Sequence, residues 1–411
     1  MVDMAMLHEK RKDDWVAASH DAAASAVGYI FQTQWGLLEV IRASTDRPDQ
    51  LMSFERIDDI AWETEERDPE QLLQLKHHLT RGTVTDKNVD VWRTLRVWMD
   101  AVSVNTVEHA EFFLVTTDIA AEGSALALLR HTARDVEAAE RLLLLAAKES
   151  RSAETERARE QFLQMSDNAR RSMVARMHVL DGVSSAQDVS GDVRNALTLV
   201  LPSGHEEVFL RALWGWWYSV VLDMLQGRRD GIRPSQVKSK ISDLRDEFSR
   251  GNLPTLVHNL DEVETQKIAD SHGDRIFVHQ MRWVNSPETI LARAIVDYYR
   301  AVVQSRLWLE DDLVGLHELE KFEHNLIDEW QREMAWRLDD LPDQASEEEK
   351  VAVGRQLLRD ALAQTRVRVR ERYDEAFFSR GKYHELADSG RVGWHPDFET
   401  RLTDLLARAT S

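Results

Sequence analysis

F-E-R-I-D-D-I-A-W-E-T-E-E-R-D-P-E-Q-L-L-Q-L-K-H-H, residues 54–78, is the stretch on which the fold turns. Two apolar-alternating runs, Phe54 to Trp62 and Leu72 to Leu75, flank the polar, proline-containing segment Glu63 to Glu70, a pattern that predicts a β-hairpin. Side chains two apart on a strand share a face, which pairs Gln74 with Lys76 and turns Leu73 and Leu75 the other way. A carboxylate on the first strand, Asp59 or its neighbour Asp58, then faces that pair, and strand facing alone decides between the two.

Working outward, Val27, Ile30, Phe31, Leu37, Leu38 and Ile41 recur at helical spacing and predict a helix over 24–42. Within it, Gly28 offers a point of close backbone approach, and Gln32 lies one turn on. Beyond the hairpin, apolar spacing predicts a helix from Asp86 to Ala101, opened by the Thr85-Asp86 capping signal. A-E-F-F-L-V-T at 110–116 is the most strand-like stretch, and a helix over about 124–130 follows its T-T-D turn. The alternation of helices and strands predicts a small α/β sandwich, a central mixed sheet flanked by helices.

The rest of the chain reads as helix. Residues 1–23 are charged and aperiodic, an N-terminal arm for docking. Asp135 to Met177 predicts one or two connector helices, closed by Gly-, Ser- and Pro-containing breaks at 177–189 and 198–204. From Glu206 the spacing predicts helices over 207–227, 234–249, 287–309, 315–338 and 347–380, with strand-like alternation only at 275–284 and a turn-rich cap from Gly381. The expected division is therefore an arm at 1–23, an α/β domain at 24–132, a helical connector at 133–204 and a mostly α-helical C-terminal domain at 205–411.

Composition narrows the class. The chain has 411 residues, of which 43% are apolar and 13 are Trp, enough for two packed cores. Leu142 to Ala147 is the longest uninterrupted apolar run, far short of a membrane span, and Asp223 breaks the Trp-rich run at 213–225. The N-terminal residues lack the apolar core of a signal peptide and cysteine is absent, which together point to a cytoplasmic protein. A net charge of −20 argues against a general nucleic-acid coat, whose binding rests on phosphate neutralisation. Locally the balance reverses: from Lys76 to Arg96 the cations Lys76, Arg81, Lys87, Arg93 and Arg96 face only Asp86 and Asp90.

An acid on one strand and a polar-x-Lys on the next is a pattern for metal-dependent phosphodiester hydrolysis. The carboxylate and the polar side chain hold Mg²⁺ or Mn²⁺, and the ammonium stabilises the attacking hydroxide or the charge on phosphorus. Asp59 or Asp58 is the candidate principal ligand, Gln74 the second and Glu55 a further ligand or a partner for Lys76. Gln32, His77, Arg81, Lys87 and Arg93 are candidate DNA contacts. Adjacent His77 and His78 point to opposite faces of a strand and have no cysteine to complete a zinc site. Trp214, Trp216 and Trp217 lack interleaved cations and read as helix core or interface rather than a base-stacking platform. Because the chain carries no Walker A motif, Rossmann fingerprint or nucleophile elbow, ATP hydrolysis falls to a partner.

In order along the chain, G-Y-I-F-Q (28–32), E-R-I-D-D-I (55–60), Q-L-K-H (74–77), V-W-R-T-L (91–95) and F-F-L-V-T-T (112–117) resemble the PD-(D/E)xK nuclease superfamily, nearest to the double-stranded DNA endonuclease domains of CBASS and Lamassu antiphage effectors. Gln74 stands where the superfamily's commonest pattern has an acid, as in the Mrr-like branch, and an amide is the weaker Mg²⁺ ligand. Separately, D-Y-Y-R-A-V-V-Q-S-R-L-W (297–308), G-K-Y-H-E-L-A-D (381–388) and G-W-H-P-D-F (393–398) resemble the C-terminal domains of nuclease subunits encoded beside SMC-like or ABC-type ATPases. The resemblance implies a Mg²⁺-dependent endonuclease effector acting on dsDNA, with Asp59 as its principal metal ligand, held by an ATPase subunit; a small accessory subunit, and activation through a homo-oligomer that pairs two sites on opposite strands, are further expectations. Two rivals are a nuclease-like module that binds DNA or protein without cutting, and a structural helical adaptor.

Overall fold

A computed structural model describes residues 4–78, 80–103, 107, 109–257, 260–364 and 366–409; the side chains of 4–22, 24, 103, 133, 364 and 409 lie outside the description. The chain divides into two compact units. One comprises Met1–Leu201 and Phe209–Asp243, the other Pro202–Val208 and Leu244–Ser411.

The first unit begins with helix α1 (Met4–Ala43), so the predicted arm is, from Met4, helical backbone continuous with the predicted first helix. Gly28 has nothing within 4 Å among the described residues, whereas an added Cβ at Gly36 would overlap the Phe54 ring. The close approach expected at Gly28 therefore falls two turns later. Strands β1 (Leu51–Phe54), β2 (Ile60–Glu63) and β3 (Pro69–Lys76) form an antiparallel meander. The single predicted strand from Phe54 to Trp62 is thus broken by a tight turn at 55–59. In that turn the Glu55 N–H donates to the Asp59 carbonyl at 3.2 Å, and Glu55 takes φ +51°.

After the short strand β4 (Thr83–Val84), α2 (Val89–Ser103) leads into β5 (Glu111–Thr116), which pairs parallel to β3 with Lys76 opposite Thr116. Asp86 does not cap α2. Its carboxylate instead accepts from the Ala125 and Leu126 N–H groups at the start of α3 (Ala125–Leu128), just beyond β6 (Ile119–Ala120). β4 and β6 pair as a small parallel ribbon.

The predicted connector is part of this unit. Helices α4 (Val136–Glu149), α5 (Glu156–Gln164) and α6 (Asp167–Ala175) bury Leu143, Phe162 and Met173 in one core with Trp92, Trp98 and Phe112. The expected break at 177–189 contains β7 (Met177–Leu180), which completes a mixed sheet in the order β1-β2-β3-β5-β7. Beyond α7 (Val189–Ala196), helix α8 (Glu206–Leu225) buries Trp217 against Phe54 of β1, and its indole N–H donates to the Thr33 carbonyl of α1 at 2.7 Å. Ile232 then pairs with Met52 on the edge of β1, and α9 (Pro234–Glu247) follows. The first unit thus runs through Leu201 and takes in Phe209–Asp243.

The second unit is helical: α10 (Glu262–Ser271), α11 (Ile276–Trp283), α12 (Glu288–Glu310), α13 (Leu316–Asp339), α14 (Glu347–Gln364), α15 (Ala376–Asp388) and α16 (Phe398–Ala409). Its core joins Phe277, Tyr298, Trp308, Phe322, Trp330, Phe378, Tyr383 and Trp394. The strand-like segment 275–284 is α11, whose buried Phe277, Val278, Gln280 and Met281 follow the helical i, i+1, i+3, i+4 pattern. The single helix expected over 347–380 ends at Gln364, and the expected cap from Gly381 is instead the interior of α15. The intervening loop is fixed by Arg370, which bonds Glu318 at 2.8 Å and the carbonyls of Asn252 and Leu313.

Candidate functional site

The turn between β1 and β2 and the C-terminal end of β3 lie together because β2 pairs with β3, with Ile60 opposite Leu73. Asp59, the residue just before β2, accepts the Leu75 N–H through Oδ2 at 2.7 Å. That bond ties its carboxylate to the Gln74-Leu75-Lys76 triplet. Gln74 is buried and Lys76 half-buried. Asp58 is buried beneath the turn, where Oδ2 accepts from the Trp98 indole at 2.8 Å and Oδ1 from the Asp59 N–H at 2.9 Å.

Charge confirms the crowding. Burial, and then the charge of Asp59, push the Asp58 carboxyl up to about 7 despite the Trp98 bond. Partial burial and Asp59 raise Glu55 as well, while the Lys76 ammonium pulls both Glu55 and Asp58 back. The folded state therefore keeps a proton on Asp58 through a window, from the ordinary carboxylate range to about 7, in which the unfolded chain has lost it. Stability falls as pH rises through that window. Without divalent metal, the difference in unfolding free energy between wild type and Asp58→Ala should shift by roughly 4 kcal/mol against the wild type between pH 4 and pH 8. Urea denaturation in chelator at the two pH values measures it; a difference independent of pH would refute it.

Two positions on, His78 extends the cluster. Its ring lies 3.1 Å from Asp90 on α2 and 2.9 Å from the buried Asp118 after β5. The Asp90 bond, with Asp118 beside it, raises the imidazole, and the same bond lowers Asp90. Lys76 also acts on Asp90, so the Lys76 ammonium is shared among Glu55, Asp58 and Asp90. Asp90 and Asp118 were not among the sequence candidates. They come from a helix and a strand end that the parallel β3–β5 pairing brings alongside, a non-local contact without a spacing signature.

The candidate DNA contacts have other partners. Arg81 donates to the Thr117, Gly182 and Val183 carbonyls at 3.1, 3.2 and 3.0 Å, pinning two loops. Lys87 pairs with Glu149 at 2.9 Å, and Arg93 with Glu154 at 3.2 Å. His77 packs its ring at a tilt against Phe31 and accepts the Ala186 N–H at 3.2 Å, and burial lowers its pKa. Gln32 is half-buried on α1.

The oxygen donors of Asp59, Glu55 and Gln74 suit a hard cation such as Mg²⁺ or Mn²⁺, and a cation would relieve the Asp59 repulsion that adds to burial in raising Glu55 and Asp58. Among the described residues, the group of His, Asp and Glu ligand atoms lying within 4.8 Å of one another is elsewhere, at Glu347, His395 and Asp397. That group is a poor metal site. His395 Nδ1 accepts the Asp397 N–H at 3.0 Å, which leaves the proton on Nε2, and Arg401 and Lys350 already neutralise Glu347 and Asp397.

With this geometry established, comparison adds the following. Residues 277–402 match CTD7, the C-terminal domain 7 of the ABC-three component (ABC-3C) systems. The match supports the chain being a component of an ABC-3C antiphage defence system, and such systems involve ABC-type ATPases. No curated protein matches the chain. Among solved structures, a Moraxella osloensis Cap4 SAVED/CARF-domain containing receptor is similar over 68% of this chain and 69% of its own, at 12% identity and TM-score 0.35. A likeness that weak defines neither fold nor activity. Among the described residues, no helix is long and apolar enough to cross a membrane.

Proposed function

We propose that the chain is the effector of its ABC-3C system, a Mg²⁺-dependent (or Mn²⁺-dependent) endonuclease on dsDNA of the PD-(D/E)xK kind, partnered by an ABC-type or SMC-like ATPase and a small accessory subunit. The observation that carries this reading is the Asp59–Leu75 bond, which fixes a carboxylate beside Lys76 while the Lys76 ammonium acts on Glu55 and Asp58. Asp59, Gln74 and Glu55 hold the metal, which when bound supplies charge for the phosphate and a more acidic water. Lys76 stabilises charge developing on the attacked phosphate, and His78, held by Asp90 and Asp118, fixes the end of β3 against α2. The helical second unit docks the ATPase, and self-association on activation brings two sites to opposite strands.

A second reading has its own support: Gln74 replaces an acid, and one Asp59 oxygen is already engaged by Leu75. On that reading the unit binds DNA or a partner without cutting. Linear and plasmid DNA are incubated with Mg²⁺ and the protein, alone and with its ATPase and accessory subunits. Metal-dependent cutting that is lost in Asp59→Asn and Lys76→Met supports the nuclease; DNA retention without cutting in any combination supports the second reading.

A further inference from the structure

Trp98, on α2, is 1% exposed, and its ring stacks on Phe112 of β5 with centroids 5.2 Å apart. A buried indole needs an acceptor for its N–H, and here the acceptor is Asp58 Oδ2 at 2.8 Å. Asp58 passes the hold on. It is buried as well, and its other oxygen, Oδ1, accepts the Asp59 N–H at 2.9 Å. Asp59 in turn accepts the Leu75 N–H through Oδ2 at 2.7 Å, beyond the last β2–β3 pair, Ile60 opposite Leu73. Three hydrogen bonds therefore run from a helix of the core to the acid turn and on to β3.

The same bonds divide the two acids. Both oxygens of buried Asp58 are engaged, whereas Asp59 is half-buried and its Oδ1 takes no part in the series. The turn that carries them needs holding. Glu55 sits in it at φ +51°, a backbone conformation that persists only where the surroundings fix it. Trp98 is suited to do so, because its ring is itself immobilised between Phe112 and the Asp58 carboxylate.

We propose that Trp98 is a positioning residue of this site: through Asp58 it fixes the turn, and with it the angle at which the Asp59 carboxylate meets a divalent cation. The cation is that of the proposed endonuclease, so the role in metal binding rests on that reading, while the hold on Asp59 does not.

Two readouts on the full chain separate these. Without metal, hydrogen exchange of the Leu75 amide reports where the Asp59 carboxylate stands. With metal, a Mn²⁺ titration followed by the electron paramagnetic resonance of the free ion reports how well the cation is held. Trp98→Phe retains an aromatic ring against Phe112 and changes no charge, so what it removes is the indole N–H. It should speed Leu75 exchange about fivefold, the scale of one weakened hydrogen bond, and weaken Mn²⁺ binding about tenfold, the low end for groups that orient a metal ligand. Asp58→Asn offers one acceptor oxygen where two are used, so it breaks the series and should speed Leu75 exchange likewise. The double variant should be no faster than Asp58→Asn alone, since Trp98 acts through Asp58. A packing role alone predicts that the two effects multiply and that the β5 amides lose protection together with Leu75; melting temperatures report folding. Leu75 exchange at the wild-type rate in Trp98→Phe, or in Asp58→Asn should Trp98→Phe not fold, overturns the proposal, as do multiplying effects or Mn²⁺ held equally by Trp98→Phe and wild type. Wild-type protein that binds no Mn²⁺ overturns the metal reading and the role in binding with it; Leu75 exchange still decides the hold on Asp59.

Discussion

Asp59→Asn is expected to reduce metal-dependent DNA cleavage by about 10³-fold or more, and Lys76→Met by about 10²–10³-fold, the scale of removing one group that stabilises transition-state charge. Both substitutions spare the fold. An amide oxygen at position 59 still accepts the Leu75 N–H, so the turn stays tied to β3 while the negative charge is lost. Methionine keeps the length of the Lys76 stem without the ammonium. Removing that ammonium also removes what pulls Glu55, Asp58 and Asp90 down, so their carboxyls should titrate at higher pH in Lys76→Met. Carbon-detected NMR of the side-chain carboxyls reads this change without DNA or metal. Unchanged carboxyl titrations would mean that Lys76 lies apart from the acids; shifted titrations with cleavage intact would place the chemistry elsewhere.

Local pattern made the hairpin and its polar ends legible, and physical reasons account for what it hid. Apolar residues recurred at Phe54, Ile57, Ile60 and Trp62 as if one strand ran to Trp62, yet Glu55 at positive φ folds the chain into a turn before β2. The acids therefore stand on a turn above the strand ends. Strand β5 was readable from F-F-L-V-T because Phe112, Phe113, Val115 and Thr116 are aromatic or β-branched. β7 was not, since M-H-V-L is four residues between helices and is held by parallel pairing to β5. In the other direction, I-F-V-H-Q-M-R-W at 276–283 suits either period, and burial on the helical spacing decided it. V-R-V-R at 367–370 carried a strand-like alternation that the long-helix reading passed over, and the chain there is loop. The acid-bearing end of the site was thus visible, while the Asp90–His78–Asp118 bridge depended on contacts between distant segments.

Gly381→Ala is expected to destabilise the second unit by about 3–5 kcal/mol, as large a cost as a single methyl group ordinarily carries. A Cβ at Gly381 would overlap the Asp297 carbonyl, which is backbone of α12 and cannot rotate away, and would press on the Ala301 side chain. The two helices must separate or α12 must bend. A shift of α15 would disturb more than one contact: Arg380 bonds Asp297 of α12, and toward α13 buried Lys382 pairs with Glu323 at 2.6 Å and the Tyr383 hydroxyl donates to the Leu326 carbonyl at 3.3 Å. Loss of the Glu323 pair would leave the buried ammonium only Glu385 of its own helix, which adds a desolvation penalty to the steric one. Hydrogen exchange on the full chain separates this from a general loss of stability. Protection should fall across 276–309 and 376–388 while the amides of β3 and β5 keep theirs. Co-purification of the ATPase, if the second unit docks it, should fail in the same variant even though Asp59 and Lys76 are untouched. Wild-type protection across α12 and α15 would show that the crossing has room for a methyl group, and the tight approach of these helices would then not be what fixes α15 in place.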